Sequence, residues 1–491
     1  MRTILLMIIA TLLTCSSVGA KKTSADYKIM VLSDTHVLAP KLASENLAAL
    51  AEFERSDMRF IGMSSDLLNE AIEQIIMESP NLVLITGDLT NNGELESHQF
   101  MVSRLDYLLS KGIKTLVIPG NHDINNPNAK RWTIDGIAET NTVTRSEFAN
   151  LYSLYGYGTD SNRDPNSLSY SCEPIKGLVV IALDSNRDEE NMLTSRGDSV
   201  NSYHNAGKVK KETIDWAKEQ ARQAHKKGKK VIAMIHHHVV PHFDSEATLL
   251  PNYIISNAHE VADSLKASDC RLVFSGHLHV NDIATDGNVE TGDTITEIAT
   301  GSLSTYPFPY RIITADKKFK HFDVSTDFIT SLPNCSNLKE LGLARVKSGV
   351  KSMTSMLSNK IWNKLQGNYD KIDKIQAAFG ADLQLPSNAE ELNVMINNLF
   401  GKQIEDVLIA FIEGDESKHD YSYIISDIKG KMNKVLTAMV PADKSFITDF
   451  IVEELTKRIK PLLNSIIEDR NNCDSENERV VDDLNTRIDL W

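Results

Sequence analysis

The sequence predicts an α/β fold followed by an all-helical region, and three observations carry that prediction. Short β-branched apolar runs alternate with stretches of helical spacing from residue 27 onward. A β-α-β-α-β order with helical crossovers argues for largely parallel strand pairing. From about Asn337 the strand-like runs stop and the chain reads as helix. At 491 residues the chain is too long for one small core, so two domains are expected, at 27–325 and 336–491.

Tyr27–Leu32 reads as a strand ending in Ser33-Asp34-Thr35-His36, and 40–62 as an irregular insert or lid. Leu68, Ala71, Ile72, Ile75 and Ile76 follow helical spacing, with Ser64 or Ser65 as the cap. Leu82–Ile85 is the next strand, ending in Thr86-Gly87-Asp88. A helix through Met101, Leu105, Leu108 and Leu109 stops at Gly112, and 115–118 leads into Pro119-Gly120-Asn121-His122-Asp123. Residues 124–176 read as long loops with one short helix, placed over the strand ends. Leu178–Leu183 is a strand ending in Asp184, which reads as a helix or turn cap. A helix around Trp216, taken as a core residue, ends in basic residues and Gly228. Strands follow at 231–235, 271–274, 295–299 and 310–313, the first two ending in His236-His237-His238 and Gly276-His277-Leu278-His279. The run from Tyr306 to Tyr310 either walls a pocket or covers the core. In the helical region, Ser387-Asn388-Ala389-Glu390 reads as a capping box, and the acidic end from Glu468 as frayed.

Residues 1–20 have the form of an export signal: Arg2, an apolar run from Ile4 to Leu13, and Val18-Gly19-Ala20 as the cleavage site. The expected location is periplasmic or extracellular, the alternative being a lipoprotein anchored through Cys15. No transmembrane helix is expected, because no stretch is long and apolar enough. Cys172, Cys270, Cys335 and Cys473 define no disulfide framework and read as free buried thiols. The formal charge of −15 disfavours broad nucleic-acid binding, which needs basic surface to displace counterions. An anionic substrate at a local cationic centre remains compatible with it.

Five polar clusters directly follow strands: Asp34/His36, Asp88, Asn121/His122, His236 and His277/His279. The carboxyl ends of strands line the ligand crevice of α/β sheets, so all five can converge there. Imidazole and carboxylate suit Zn, Mn and Fe. In Asp34-Thr35-His36 and His277-Leu278-His279 an i, i+2 spacing on extended chain puts both side chains on one side. These seven donors suffice for two metal ions with positions left open. His237, His238, His98, His204, His242 and His259 read as other than ligands, with His204 and His242 as candidates to face substrate.

Asp-x-His, Gly-Asp, Gly-Asn-His-Asp, a His after a strand and Gly-His-x-His, in this order, resemble the calcineurin-like metallophosphoesterase family over about residues 27–325. The resemblance implies a four-layer αββα sandwich holding two transition-metal ions (Mn, Fe or Zn). It implies that Asp34, His36 and His279 bind the first metal and that Asp88 bridges. Asn121, His236 and His277 would bind the second metal, with His236 taken because it leaves its strand first. His122 would steady the transition state or protonate the leaving oxygen, oriented by Asp123. The implied activity is an exported phosphomonoesterase or phosphodiesterase acting on a small phosphoester through in-line attack by a metal-bridging hydroxide. The alternative is a cell-surface binding or scaffold protein, with the helical region supplying contacts to a partner or a second copy.

Overall fold

A strand covered on both faces needs an unbroken run of Val, Ile and Leu, and the runs of that kind form the centre of this protein. The computed structural model describes residues 26–191, 205–288, 291–366, 386–414, 422–439, 445–467 and 482–490. The export signal with Cys15, as well as His204 and Cys473, lie outside the described residues.

The chain runs through β1 (Tyr27–Leu32), α1 (Leu47–Phe53), α2 (Ser64–Glu78), β2 (Leu82–Ile85), α3 (Leu95–Ser110) and β3 (Lys114–Val117). Next come the hairpin β4 (Lys130–Thr133) and β5 (Gly136–Glu139), then α4 (Arg145–Leu151), β6 (Asn162–Arg163), β7 (Tyr170–Ile175) and β8 (Leu178–Leu183). They are followed by α5 (Lys211–Lys226), β9 (Lys230–Ile235), α6 (Glu246–Leu249), α7 (Ala258–Ala267) and β10 (Leu272–Ser275). Four strands close this part: β11 (Asp282–Asn288), β12 (Asp293–Ala299), β13 (Pro309–Ala315) and β14 (His321–Phe328). The helical region is α8 (Leu338–Gln366), α9 (Ala389–Ile396), α10 (Lys402–Glu413), α11 (Ser422–Met439) and α12 (Ser445–Ile467), after which comes β15 (Asn485–Asp489).

Two mixed sheets result. The first has the order β15-β14-β13-β1-β2-β3, and the second β11-β12-β10-β9-β8-β7-β6. β1, β2 and β3 are parallel, as are β8, β9, β10 and β12. The sheets pack face to face, which the side-chain alternation shows. Val180, Ala182, Ile232, Met234, Leu272 and Phe274 of the second sheet join Ile29, Val31, Val83 and Ile85 of the first in one buried cluster. The intervening residues Ile181, Leu183, Val231, Ala233 and Val273 point the other way, against Ile214, Ala221, Val261 and Leu265 of α5 and α7. Leu68, Ile72 and Ile75 of α2 and Met101, Leu105 and Leu108 of α3 cover the first sheet. The order of layers is therefore αββα.

Several local expectations change. Residues 124–176 contain the hairpin β4–β5 and strands β6 and β7 as well as α4. Pro174 and the polar side chains of Tyr170–Ile175 mask a strand that pairs antiparallel with β8, with a register shift between Cys172 and Ile175. Ser64 does not cap α2; its hydroxyl donates to Ile61 O and accepts from Leu38 N. In the helical region the cap is Asn388, whose side chain accepts from Glu391 N, one position later than the capping box suggests. Tyr306, Phe308 and Tyr310 are buried in the main core, so this run covers the core, and Tyr306, Pro307 and Phe308 also wall a cavity with Ile329, Glu413 and Leu484. Cys172, Cys270 and Cys335 are free thiols, but only Cys270 is buried; Cys172 and Cys335 are half-buried. No helix among the described residues is long and apolar enough to cross a membrane.

Of the end expected to fray from Glu468, residues 468–481 lie outside the described residues, and 482–490 are ordered by pairing. β15 pairs antiparallel with β14, from Asn485 opposite Ser325 to Asp489 opposite His321, and Ile488 and Leu490 enter the main core. Its alternation, Thr-Arg-Ile-Asp-Leu, is short and charged, and it follows an acidic stretch, so composition alone favours a tail. Replacing Ile488 by Ala should cost about 2 kcal/mol or somewhat more, read as a lower thermal unfolding midpoint. An unchanged midpoint would mean that β15 does not contribute to the core.

Candidate metal centre

The carboxyl ends of β1, β2, β3, β9 and β10 all open at the seam between the two sheets, and each releases a polar cluster there. The backbone turns sharply as it leaves. Asp34, His36, Asp88, His277 and His279 all have left-handed φ, between 41° and 69°. For a residue with a Cβ this costs roughly 1–2 kcal/mol, and such residues gather where geometry matters more than stability. Two motif glycines are explained by crowding. A Cβ on Gly120 would stand 2.1 Å from Asp88 Oδ1, and one on Gly276 would stand 1.8 Å from Ser33 Oγ and 2.4 Å from Asp34 Oδ2.

The structure brings together all seven of the expected donors. Asp88 is central: its Oδ2 lies 3.5 Å from His36 Nε2 and 3.4 Å from His236 Nε2, and 4.0 Å from His122 Nε2. On one side, Asp34 Oδ1 lies 3.3 Å from His279 Nε2 and 3.9 Å from His36 Nε2, and the two Nε2 atoms of His36 and His279 stand 3.2 Å apart. On the other side, Asn121 Oδ1 is 3.0 Å from His236 Nε2. Donor atoms of Asp34, His36 and His279 lie within 4.8 Å of one another, as do those of Asp88, His236 and His277.

The backs of these side chains are fixed by hydrogen bonds. His236 Nδ1 faces Thr86 O at 2.9 Å, which leaves Nε2 toward Asp88. His277 Nε2 faces Asn252 O at 3.1 Å, and its backbone N–H donates to Asp34 Oδ2 at 2.9 Å. Asp34 Oδ1 is buried and accepts no hydrogen bond. Such an arrangement, with lone pairs converging and the far nitrogens pinned, is what metal ligands need.

The electrostatics favour positive charge at the centre. Burial pushes Asp88 up, but the flanking His236, His122 and His36 hold its carboxyl well below the usual carboxylate range. Burial opposes a proton on His236, yet Asp88 and then Asp34 draw its pKa up to about 9. A bound cation would answer the same field and keep His236 neutral as a ligand. Burial and then Arg59 keep His36 well below its ordinary value, and burial and then His237 do the same to His277. The donor set thus fits transition-metal ions.

His122 is held differently from expectation. Its Nδ1 faces Asn91 O at 2.8 Å and Asn92 Oδ1 at 2.9 Å, so the loop after β2 positions it. Asp123 instead accepts four hydrogen bonds: from Leu89 N and Gly120 N at Oδ2, and from Thr90 N and Thr90 Oγ1 at Oδ1. It ties the loop after β3 to the loop after β2. Burial and Asp88 push its carboxyl up to about 7, against four donors that favour the ionised form. Burial lowers His122 to about 4.

Other histidines sort as follows. His237 is buried, with Nδ1 2.8 Å from Ser185 Oγ and Nε2 3.0 Å from Asn205 O. His98 faces the Tyr152 hydroxyl and Asp123 O, and His259 is exposed. His242 is buried against carboxylates and does not face a substrate space. Asp184 accepts from Asn186 N as a turn cap, and also pairs with Arg145. Sequence reasoning missed Arg59, in the insert between β1 and α2. Its Nη1 lies 3.2 Å from His36 Nδ1, and Asp57 grips the same guanidinium at 2.7 Å. From α8, Arg345 donates to Glu54 O and Asp57 O and lies over the Phe60 ring at 4.5 Å. The helical region therefore braces the insert that carries Arg59. An Asp two residues before an Arg was the one sequence signal for it, and a weak one.

The fold and donor set define an αββα protein whose loops gather histidine and carboxylate at one seam. The calcineurin-like phosphoesterase family profile matches residues 27–281, more than half of the chain, and the protein belongs to that family. A curated relative from Rhodococcus erythropolis (strain PR4 / NBRC 100887), described as a probable cyclic nucleotide phosphodiesterase, is 24% identical over 257 residues. That match covers 52% of this chain and 65% of the relative, so the chain spans somewhat less than two thirds of the relative's length. Among solved structures, a dimetal phosphatase from Danio rerio is similar at 14% identity and a TM-score of 0.41, covering 62% of this chain and 96% of that one. GAP50, the anchor in the inner membrane complex of Plasmodium, is similar at 9% identity and a TM-score of 0.33, covering 66% and 95%.

Gly276→Ala should displace Asp34 and lower the metal content of the purified protein, measured by plasma mass spectrometry. Gly112→Ala is the control: its φ is also positive, at +80°, but a Cβ there meets nothing within 4 Å, so metal content should stay at the wild-type level.

Proposed function

We propose that this protein is an exported, metal-dependent phosphoesterase with a dinuclear centre. The observation that carries the reading is the pair of donor groups, Asp34/His36/His279 and Asp88/His236/His277, joined where Asp88 lies 3.5 Å from His36. Asp34, His36 and His279 would hold one ion, Asn121, His236 and His277 the other, and Asp88 both. Mn, Fe and Zn all suit these donors. Such ions, when bound, supply an activated water near neutral pH and offset charge on phosphoryl oxygens.

The chain's own residues do the remainder. His122 presents Nε2 toward Asp88; burial keeps the free ring neutral, and the negative charge of a bound phosphoryl group would favour a proton on Nε2, with which it holds a phosphoryl oxygen or protonates the leaving oxygen. Asn91 and Asn92 hold that ring in place. Arg59, tethered by Asp57 and braced by Arg345, is placed to bind a phosphate oxygen beside His36. Asp123 keeps the loops bearing Asp88 and Asn121 in register. The division into a catalytic unit at 27–325 and a helical unit at 336–491 belongs to the same proposal, with β15 counted as an edge strand of the catalytic unit. The contacts of Arg345 favour a role for the helices in shaping the site over a role confined to partners.

Turnover should be assayed with Mn²⁺ on mono- and bis-nitrophenyl phosphate and on cyclic nucleotides, the last because of the relative's description. Activity on none of them by metal-loaded protein would overturn the proposal. His122→Ala should lower kcat by about 10²–10⁴-fold with metal content unchanged; loss of metal would make it a ligand instead. Arg59→Ala should raise KM by roughly tenfold or more, the cost of one charge-assisted hydrogen bond, and a change confined to kcat would remove its binding role.

A further inference from the structure

Beyond β9, the chain places a second group of histidines and carboxylates under α6, built from none of the seven donors above. His238, His242, Glu246 and Glu297 have side chains 0% exposed, and Asp282 is 1% exposed. A nitrogen from each of His238 and His242 and a carboxylate oxygen of Glu297 lie within 4.8 Å of one another. The two imidazole rings are 4.1 Å apart, and His242 Nε2 is 3.6 Å from Glu297 Oε1. Two ligands of a tetrahedral zinc, each about 2.0–2.1 Å from it, stand roughly 3.3 Å apart.

Each side chain is pinned from behind. His238 Nδ1 is held by Glu246 Oε1 at 2.7 Å, while Glu246 Oε2 accepts from His242 N at 2.7 Å. Glu297 Oε2 accepts from Val239 N at 2.8 Å and Val240 N at 2.7 Å. His242 Nδ1 lies 3.0 Å from Asp282 Oδ1, at ion-pair distance though off a hydrogen-bond line. In front, His238 Nε2, His242 Nε2 and Glu297 Oε1 are all buried with no hydrogen-bond partner. Buried polar atoms in that state cost about 1–3 kcal/mol each. Carboxylates behind imidazoles and lone pairs in front are the arrangement of a histidine-bound metal.

We propose that His238, His242 and Glu297 form a closed binding site for a divalent cation of the zinc type, with Glu246 and Asp282 as positioning residues. Two neutral imidazoles and a carboxylate match borderline cations, not calcium or magnesium, which prefer oxygen. The alternative is an imidazolium without metal. Asp282 and Glu297 do draw His242 well above its ordinary value, against burial. A proton on His242 still leaves His238 Nε2 unanswered. The site is enclosed by protein, and it cross-links the segment following His236 to β11 and β12.

Full-length protein is loaded with zinc, desalted exhaustively, and zinc per chain is counted by plasma mass spectrometry. Glu297→Gln and His242→Asn should each bind one zinc fewer than wild type while keeping the wild-type circular dichroism. An anomalous difference map of wild-type crystals at the zinc edge should show a peak bounded by His238, His242 and Glu297. Unchanged stoichiometry in the folded variants, or no such peak, overturns the proposal. If the variants do not fold, the wild-type map decides alone.

Discussion

Asp88 is a carboxylate under 4.1 Å from three imidazoles, on His36, His122 and His236, that arrive from three different loops. A buried carboxylate in that position is tolerable only if positive charge accompanies it. Of the three rings only His236 is drawn toward a proton, while burial holds His36 and His122 below their ordinary values, so cations would supply the rest. The rest of the seam follows from this one group. Gly120 has no side chain because Asp88 occupies the space, and His122 N donates to Asp88 Oδ1. Thr86, one residue before Gly87 and two before Asp88, turns His236 toward the other carboxylate oxygen, Oδ2.

The two sheets allow this convergence because their parallel strands all point the same way at the seam. β1, β2 and β3 deliver Asp34, Asp88 and Asn121 from one layer, and β9 and β10 deliver His236 and His277 from the other. The packed interior between them, from Ile29 to Phe274, fixes the separation of the layers. Left-handed backbone at five donors then bends the chain ends inward. Strain at the seam is carried by a core that gains nothing from those turns and would be more stable without them.

Much of this was legible in the sequence because parallel strands announce themselves. Within β1, Ile29 to Leu32, and all of Leu82–Ile85 and Leu178–Leu183, are unbroken apolar runs, and each polar cluster begins where its run stops. The antiparallel strands were harder to see. β7 carries Ser, Glu and Pro, and β11 carries Asp, Thr, Gly and Asn, because their faces are not all apolar. Contacts between distant side chains could not be read from spacing at all. Asp123 looked like a partner for His122 because it is its neighbour in sequence; in space it bonds to backbone from residues 89, 90 and 120. The same holds for His242, 40 or more positions from Asp282 and Glu297, and for Arg345 beneath the Arg59 insert.

β14 and β15 are neighbours in the first sheet although the whole helical region lies between them in the chain. On a ribosome, β14 emerges with its outer row of amides and carbonyls open long before the strand that covers them. An uncovered edge of that kind is a template for pairing with another nascent chain. The polar residues of β14, Asp323 and Asp327 with their charges and His321, lie along it, and they discourage a stranger during the interval while still admitting Arg487, which reaches Asp323 from β15.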